Sequence, residues 1–298
     1  MWPTILLVIY CSLIVLASLS GGFLPHWLRL THTRQQLMMS AIAGLMLGVA
    51  VLHLLPHAVM ESGGNLDFAL GWMLVGLLVM FFTMRVFHVH QHGQPEAGEE
   101  HGTQGLSSHA ATCPHRLSWV GLAAGLSLHT FIDGVALSAA MTADLRHSPL
   151  MLFAGAGTFL AVFAHKPLDA WAITTMMRAG GWNSRARTLV NAAYALMCPL
   201  GAALFFFLTR GYFAETQQAV LGAALAFAAG VFLCIALADI LPEVSFHCHD
   251  RLALSSALIL GVLLAYGIGF LEGECVHHLG GGVNHVHGPQ CAEHGHAH

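Results

Sequence analysis

Two short segments of this chain share one pattern, H-x-x-x-D, and both lie in long apolar stretches. The first reads S-L-H-T-F-I-D-G and supplies His129 and Asp133; the second reads A-H-K-P-L-D-A and supplies His165 and Asp169. Positions i and i+4 share a helix face, so each segment offers an imidazole beside a carboxylate. A single pair of this kind can equally be a hydrogen bond tying helices together. Two identical pairs on consecutive segments supply two nitrogens and two oxygens, a tetrahedral donor set suited to zinc. An ionisable group inside a membrane span costs about 2.5–3.5 kcal/mol even on mild insertion scales, so its presence there points to function.

Further residues extend the pattern. Met46, His53 and His57 fall at i, i+7 and i+11 of one helical stripe, followed by Glu61, and could line a metal path. Asp239 and Glu243 could do the same near the end of a later segment; for all five, helix packing is the competing use. Pro167 frees the carbonyl of Phe163 and bends the segment next to His165, which a helix tolerates where it lines a cavity. Lys166, the sole lysine of the chain, follows His165 and is expected one position off the ligand face. It can lower the local negative charge, take the place of a second cation, or act as an ion-pair partner alone.

The elements that must hold these residues are membrane spans. The chain has 298 residues, 56% apolar and 9% charged, against about 25% charged in a soluble domain. A formal charge of −4 with no basic block argues against nucleic acid as a partner. Histidine is in excess, at 22 residues, and imidazole is the commonest ligand for transition metals. Seven cysteines without a C-x-x-C pair form neither a zinc finger nor a disulfide framework.

A span needs about 20 apolar residues, and eight stretches qualify: 4–24, 36–60, 67–88, 117–141, 149–177, 186–209, 217–243 and 252–272. This predicts an all-α polytopic membrane protein whose transport region is 1–272, with the lipid bilayer as its solvent. A His-rich loop over 89–116 and a His/Cys-rich tail over 273–298 are too polar to fold alone and could bind metal weakly. With the N-terminus outside, eight arginines fall on the cytoplasmic side and only Arg146 and Arg210 outside, so both termini and the tail are expected outside and the loop inside. The apolar N-terminus reads as a first span rather than a signal peptide. That and the short loops fit a bacterial inner membrane.

An internal repeat is also legible. Gly44 precedes Leu55-Pro56-His57 as Gly230 precedes Leu241-Pro242-Glu243, each glycine twelve residues before its proline. The polar residue three before each proline is His53 in one and Asp239 in the other. In the topology above the two segments run in opposite directions, as in inverted-repeat transporters.

With these residues in hand, the chain resembles the ZIP (Zrt/Irt-like) family of metal transporters over essentially its whole length. H-T-F-I-D-G at 129–134 is close to the family's H-N-x-x-[DE]-G, and H-K-P-L-D-A at 165–170 to its H-K-x-x-E-A form; the run ending L-P-E at Glu243 is also similar. The resemblance implies that His129, Asp133, His165 and Asp169 bind the transported ion. It further implies a 3+2+3 arrangement of spans, a homodimer and import toward the cytoplasm. Thr130 stands for the usual Asn, Asp169 for Glu, and Lys166 where some members carry a second acidic ligand, while the proline sits one position early. A single-ion site is therefore expected. The resulting expectation is a transporter of zinc, or of Fe²⁺, Mn²⁺ or Cd²⁺, with no permanently bound cofactor. A membrane-embedded zinc hydrolase would need a water-activating base and an open coordination position. A metal sensor would depend on the His-rich loop and tail.

Overall fold

The computed structural model describes residues 2–27, 32–88, 118–147, 153–209, 214–246 and 251–269. The loop 89–116 and the tail 273–298 lie outside the described residues. The chain forms helices α1 (Trp2–Trp27), α2 (His32–Val49), a π-helical turn (Ala50–Leu54), α3 (Leu55–Glu61), α4 (Leu66–His88), α5 (Ser118–His147), α6 (Ala156–Ala179), α7 (Ser184–Ala195), α8 (Met197–Thr209), α9 (Ala214–Phe246) and α10 (Arg251–Gly269). There is no strand among the described residues. α2, the π turn and α3 run on as one span, as do α7 and α8, so the described residues form eight spans. Seven are long and apolar enough to cross a membrane. The eighth, α6, has 24 residues, about 36 Å and enough to cross, but it carries His165, Lys166 and Asp169.

The departures from the expected spans have local causes. Pro199 lacks the N–H that would bond the Ala195 carbonyl, so the sixth span breaks at Leu196 into α7 and α8. Pro56 likewise removes a donor, and the ladder adapts through the π turn, where the Leu55 N–H bonds Ala50 O. The fourth span runs on to His147, past the expected end at 141. The fifth begins at Ala156 rather than near 149, because Gly155 takes a left-handed conformation (φ 72°) and its N–H is bonded by Asp144 Oδ2 at 2.6 Å.

Packing follows the repeat. α2 lies along α10 as α9 lies along α4, and α1 lies along α6 as α8 lies along α5. Exchanging spans one to three with six to eight, and four with five, maps each pair onto its counterpart, which is the 3+2+3 arrangement. The repeat glycines sit at the equivalent crossings: a Cβ on Gly44 would overlap the Leu258 carbonyl of α10, and one on Gly230 the Met73 carbonyl of α4. Close backbone approach of this kind is how membrane helices gain packing without a hydrophobic drive between them. Leucine and phenylalanine side chains such as Leu16, Phe82, Leu263 and Phe207 face outward to lipid. Gly230→Val is therefore expected to part α9 from α4 and remove the monodisperse peak in detergent size-exclusion chromatography. The same change at Gly71, where a Cβ meets nothing, should leave the peak intact.

Candidate metal centre

Both H-x-x-x-D pairs point into the bundle. One donor atom from each of His129, Asp133 and His165 lies within 4.8 Å of the other two, and all three side chains are buried, Asp133 completely. The two imidazoles stack, with centroids 5.3 Å apart. Asp133 is the shared member: Oδ1 is 3.3 Å from His129 Nδ1, and Oδ2 is 3.3 Å from His165 Nε2.

The surroundings of the two histidines differ. His165 Nδ1 is 2.7 Å from Ala161 O; a carbonyl can only accept, so Nδ1 carries the proton and Nε2 presents its lone pair to the cluster. Backbone anchoring of the far ring nitrogen is how proteins fix the tautomer of a metal-binding histidine. His129 Nε2 is buried and has no hydrogen-bond partner. Leaving a buried polar atom unmet costs about 1–3 kcal/mol, a cost that a bound cation would remove. Zinc with bonds of about 2.0–2.1 Å holds its ligands about 3.4 Å apart. Side-chain adjustments of about an ångström would thus suffice for these three atoms to close on it.

Lys166 is central, against the expectation that it points away from the ligand face. It is fully buried, and its Nζ lies 2.5 Å from Asp133 Oδ2, 2.9 Å from His165 Nε2, 3.1 Å from Thr130 Oγ1 and 3.2 Å from Asp169 Oδ2. Next to Pro167, α6 turns the long side chain into the cluster. An ammonium thus stands among the donor atoms of the cluster. With both histidines neutral, Lys166, Asp133 and Asp169 together carry one net negative charge, and a divalent ion turns it to one positive.

Asp169 stands slightly apart. Its Oδ2 is 3.8 Å from His165 Nε2 and accepts a 2.9 Å hydrogen bond from Tyr194 Oη on α7. Tyr194 escapes sequence reading because it lies in an apolar span; the available signal was its i+3 spacing from Asn191, another buried polar group.

The stripe on the second span divides. Met46 is buried in the α2 core, and His53 donates from Nε2 to Ala265 O of α10 at 2.8 Å, a contact between helices. His57 turns to α5, with Nε2 3.1 Å from Asp144 Oδ1, while Glu61 meets Arg146 at 2.9 Å. Asp144, missed because the fourth span was expected to end at 141, lies three turns from Asp133 on the same helix. Asp239 and Glu243 belong to the last turns of α9, but their side chains lie outside the described residues.

A sequence model described as ZIP zinc transporter matches residues 88–269. Zinc transporter ZIP6 of Homo sapiens is 31% identical over 185 residues, 60% of this chain and 22% of that protein. Zinc transporter foi of Drosophila melanogaster is 31% identical over 196 residues, 63% and 26% respectively. Zinc transporter ZIP9-B of Xenopus laevis is 26% identical over 287 residues, 80% and 86%. The chain spans about a quarter of the length of the first two of these relatives.

Proposed function

The chain belongs to the ZIP zinc transporter family, and from that premise we propose that it carries a divalent transition metal through the bilayer, with zinc as the principal ion. His129, Asp133 and His165 receive the ion and Asp169 completes the set. Fe²⁺, Mn²⁺ and Cd²⁺ are the other candidates for such a mixed nitrogen and oxygen site. Import toward the cytoplasm, both termini outside, a homodimer and a bacterial inner membrane belong to the same proposal.

The observation that carries this reading is the buried His129 imidazole, whose ring nitrogens have no hydrogen-bond partner, within reach of Asp133 and His165. A hydrolase needs a coordination position open to water and substrate. Here the three converging residues are at most 5% exposed, which suits an ion enclosed between two accessible states. Exchange of the two halves about the site would open it alternately to each side. His57 and Asp144, three turns along α5, then form a second station of the same chemistry on the path, and Asp239 and Glu243 a third.

The test is radiolabelled zinc uptake into vesicles holding the purified protein. Wild type is expected to accumulate zinc and His129→Ala to lose nearly all of it, at unchanged amounts of folded protein. Equal flux in both would remove the site assignment, and no flux in either would remove the transport reading.

A further inference from the structure

Four side chains close a hydrogen-bonded ring beside the ion site. Lys166 Nζ donates to Thr130 Oγ1 at 3.1 Å; Thr130 Oγ1 donates to Tyr194 Oη at 2.8 Å; Tyr194 Oη donates to Asp169 Oδ2 at 2.9 Å; and Lys166 Nζ donates to the same Oδ2 at 3.2 Å. The ammonium also lies 5.9 Å from the centre of the Tyr194 ring, within the range of a cation–π attraction. Thr130 and Tyr194 are 1% and 2% exposed, so water does not compete for these bonds. Thr130 stands where the resembled pattern has Asn, whereas Lys166 keeps the lysine of its H-K-x-x-E-A form. They are bonded to each other.

The ring sorts the two carboxylates. Asp133 faces both histidines, whereas both donors to Asp169 Oδ2 belong to the ring. We propose that Tyr194, held by Thr130, is a positioning residue that withholds Asp169 from the ion, so that the site binds loosely with three ligands and tightens only when the ring opens. This rests on the transport reading above and adds a reason for fast exchange. A fourth anionic ligand held permanently in place would deepen the well in which the ion sits, and a carrier needs release as much as capture. The Lys166 ammonium pairs with Asp169 when an arriving ion displaces it from Asp133, and it returns to Asp133 as the ion leaves.

Removing the Tyr194 hydroxyl deletes one charge-assisted hydrogen bond from Asp169 and frees that carboxylate to reach the ion. Tyr194→Phe in vesicles is therefore expected to lower KM for zinc by about tenfold, with Vmax falling too because release slows. Calorimetric titration of the detergent-solubilised protein with zinc should show the same tightening. Thr130→Val, which cuts the ring on its other side, should shift KM in the same direction. The double variant Tyr194→Phe with Asp169→Asn should lose the gain, since the freed group is no longer an anion.

A merely structural tyrosine would lower Vmax with the folded fraction and leave KM in place. Unchanged or raised KM in Tyr194→Phe, or a gain that persists in the double variant, would overturn the proposal. Zinc flux in wild type is read in the same experiment, so failure of the transport reading and failure of the ring are told apart.

Discussion

Asp133→Asn should abolish zinc uptake. Asp133 is the group on which both histidines and the lysine converge, at 3.3 Å, 3.3 Å and 2.5 Å. Asp133→Asn keeps the shape and removes the charge, and it brings an N–H₂ group up against either the Lys166 ammonium or an imidazole. The ion loses its anionic ligand, and Lys166 is left buried with Asp169 as its sole remaining carboxylate among these contacts. Breaking a buried pair from one side costs about 3–5 kcal/mol of stability, and the ion, without its shared anionic ligand, also meets a cluster one unit more positive. Uptake at micromolar zinc should fall to background, and calorimetric binding should vanish with it. Retention of a tenth of the wild-type rate would mean that the ion passes without Asp133. Because the substitution is nearly isosteric, helix content by circular dichroism should hold and separate a lost site from a lost fold.

The parts of this site that follow a helical period are legible in the sequence, and those made by a break in the period are not. His129, Asp133, His165 and Asp169 announce themselves because i and i+4 fall on one face and because charged groups are costly in a span. The repeat was readable for a similar reason: Gly44 and Gly230 are where two backbones must touch, and only glycine permits it.

Tyr194 was hidden by the interruption at Leu196. A span read as one continuous helix gives no ground for ending α7 beside the Lys166 ammonium, and it is Pro199 that causes the break. Lys166 was misplaced by the same kind of argument in reverse. One position is 100° around a helix, yet a four-carbon side chain carries its charge well away from its own Cα, and the two carboxylates decide where it goes. Asp144 was missed at a boundary. Hydropathy falls at the end of the fourth span before the helix does, and its last turns carry the carboxylate that meets His57.

Lys166 is the position where substitution should change the count of ions. In Lys166→Gln, Asp133 and Asp169 face one cavity with no counter-charge, so the ion-free protein is destabilised by about 3–5 kcal/mol, as when one partner of a buried ion pair is removed. A divalent ion supplies the missing charge. Zinc should therefore raise the melting temperature of Lys166→Gln far more than that of wild type, because a ligand stabilises the fold in proportion to its preference for the folded state. Uptake should become slower and saturate at lower zinc, since no ammonium is left to displace the ion from Asp133. Lys166→Glu goes further. It places a third carboxylate where the ammonium stood, so that the cluster carries −3 with neutral histidines, enough to hold two divalent ions at a net charge of +1. Wild type with two ions would carry +3 in a fully buried cluster, a charge for which the described residues offer no compensation. Equilibrium dialysis against radiolabelled zinc should accordingly return one ion per chain for wild type and two for Lys166→Glu. Two ions in wild type, or one in Lys166→Glu, would show that the lysine does not hold the second cation's place.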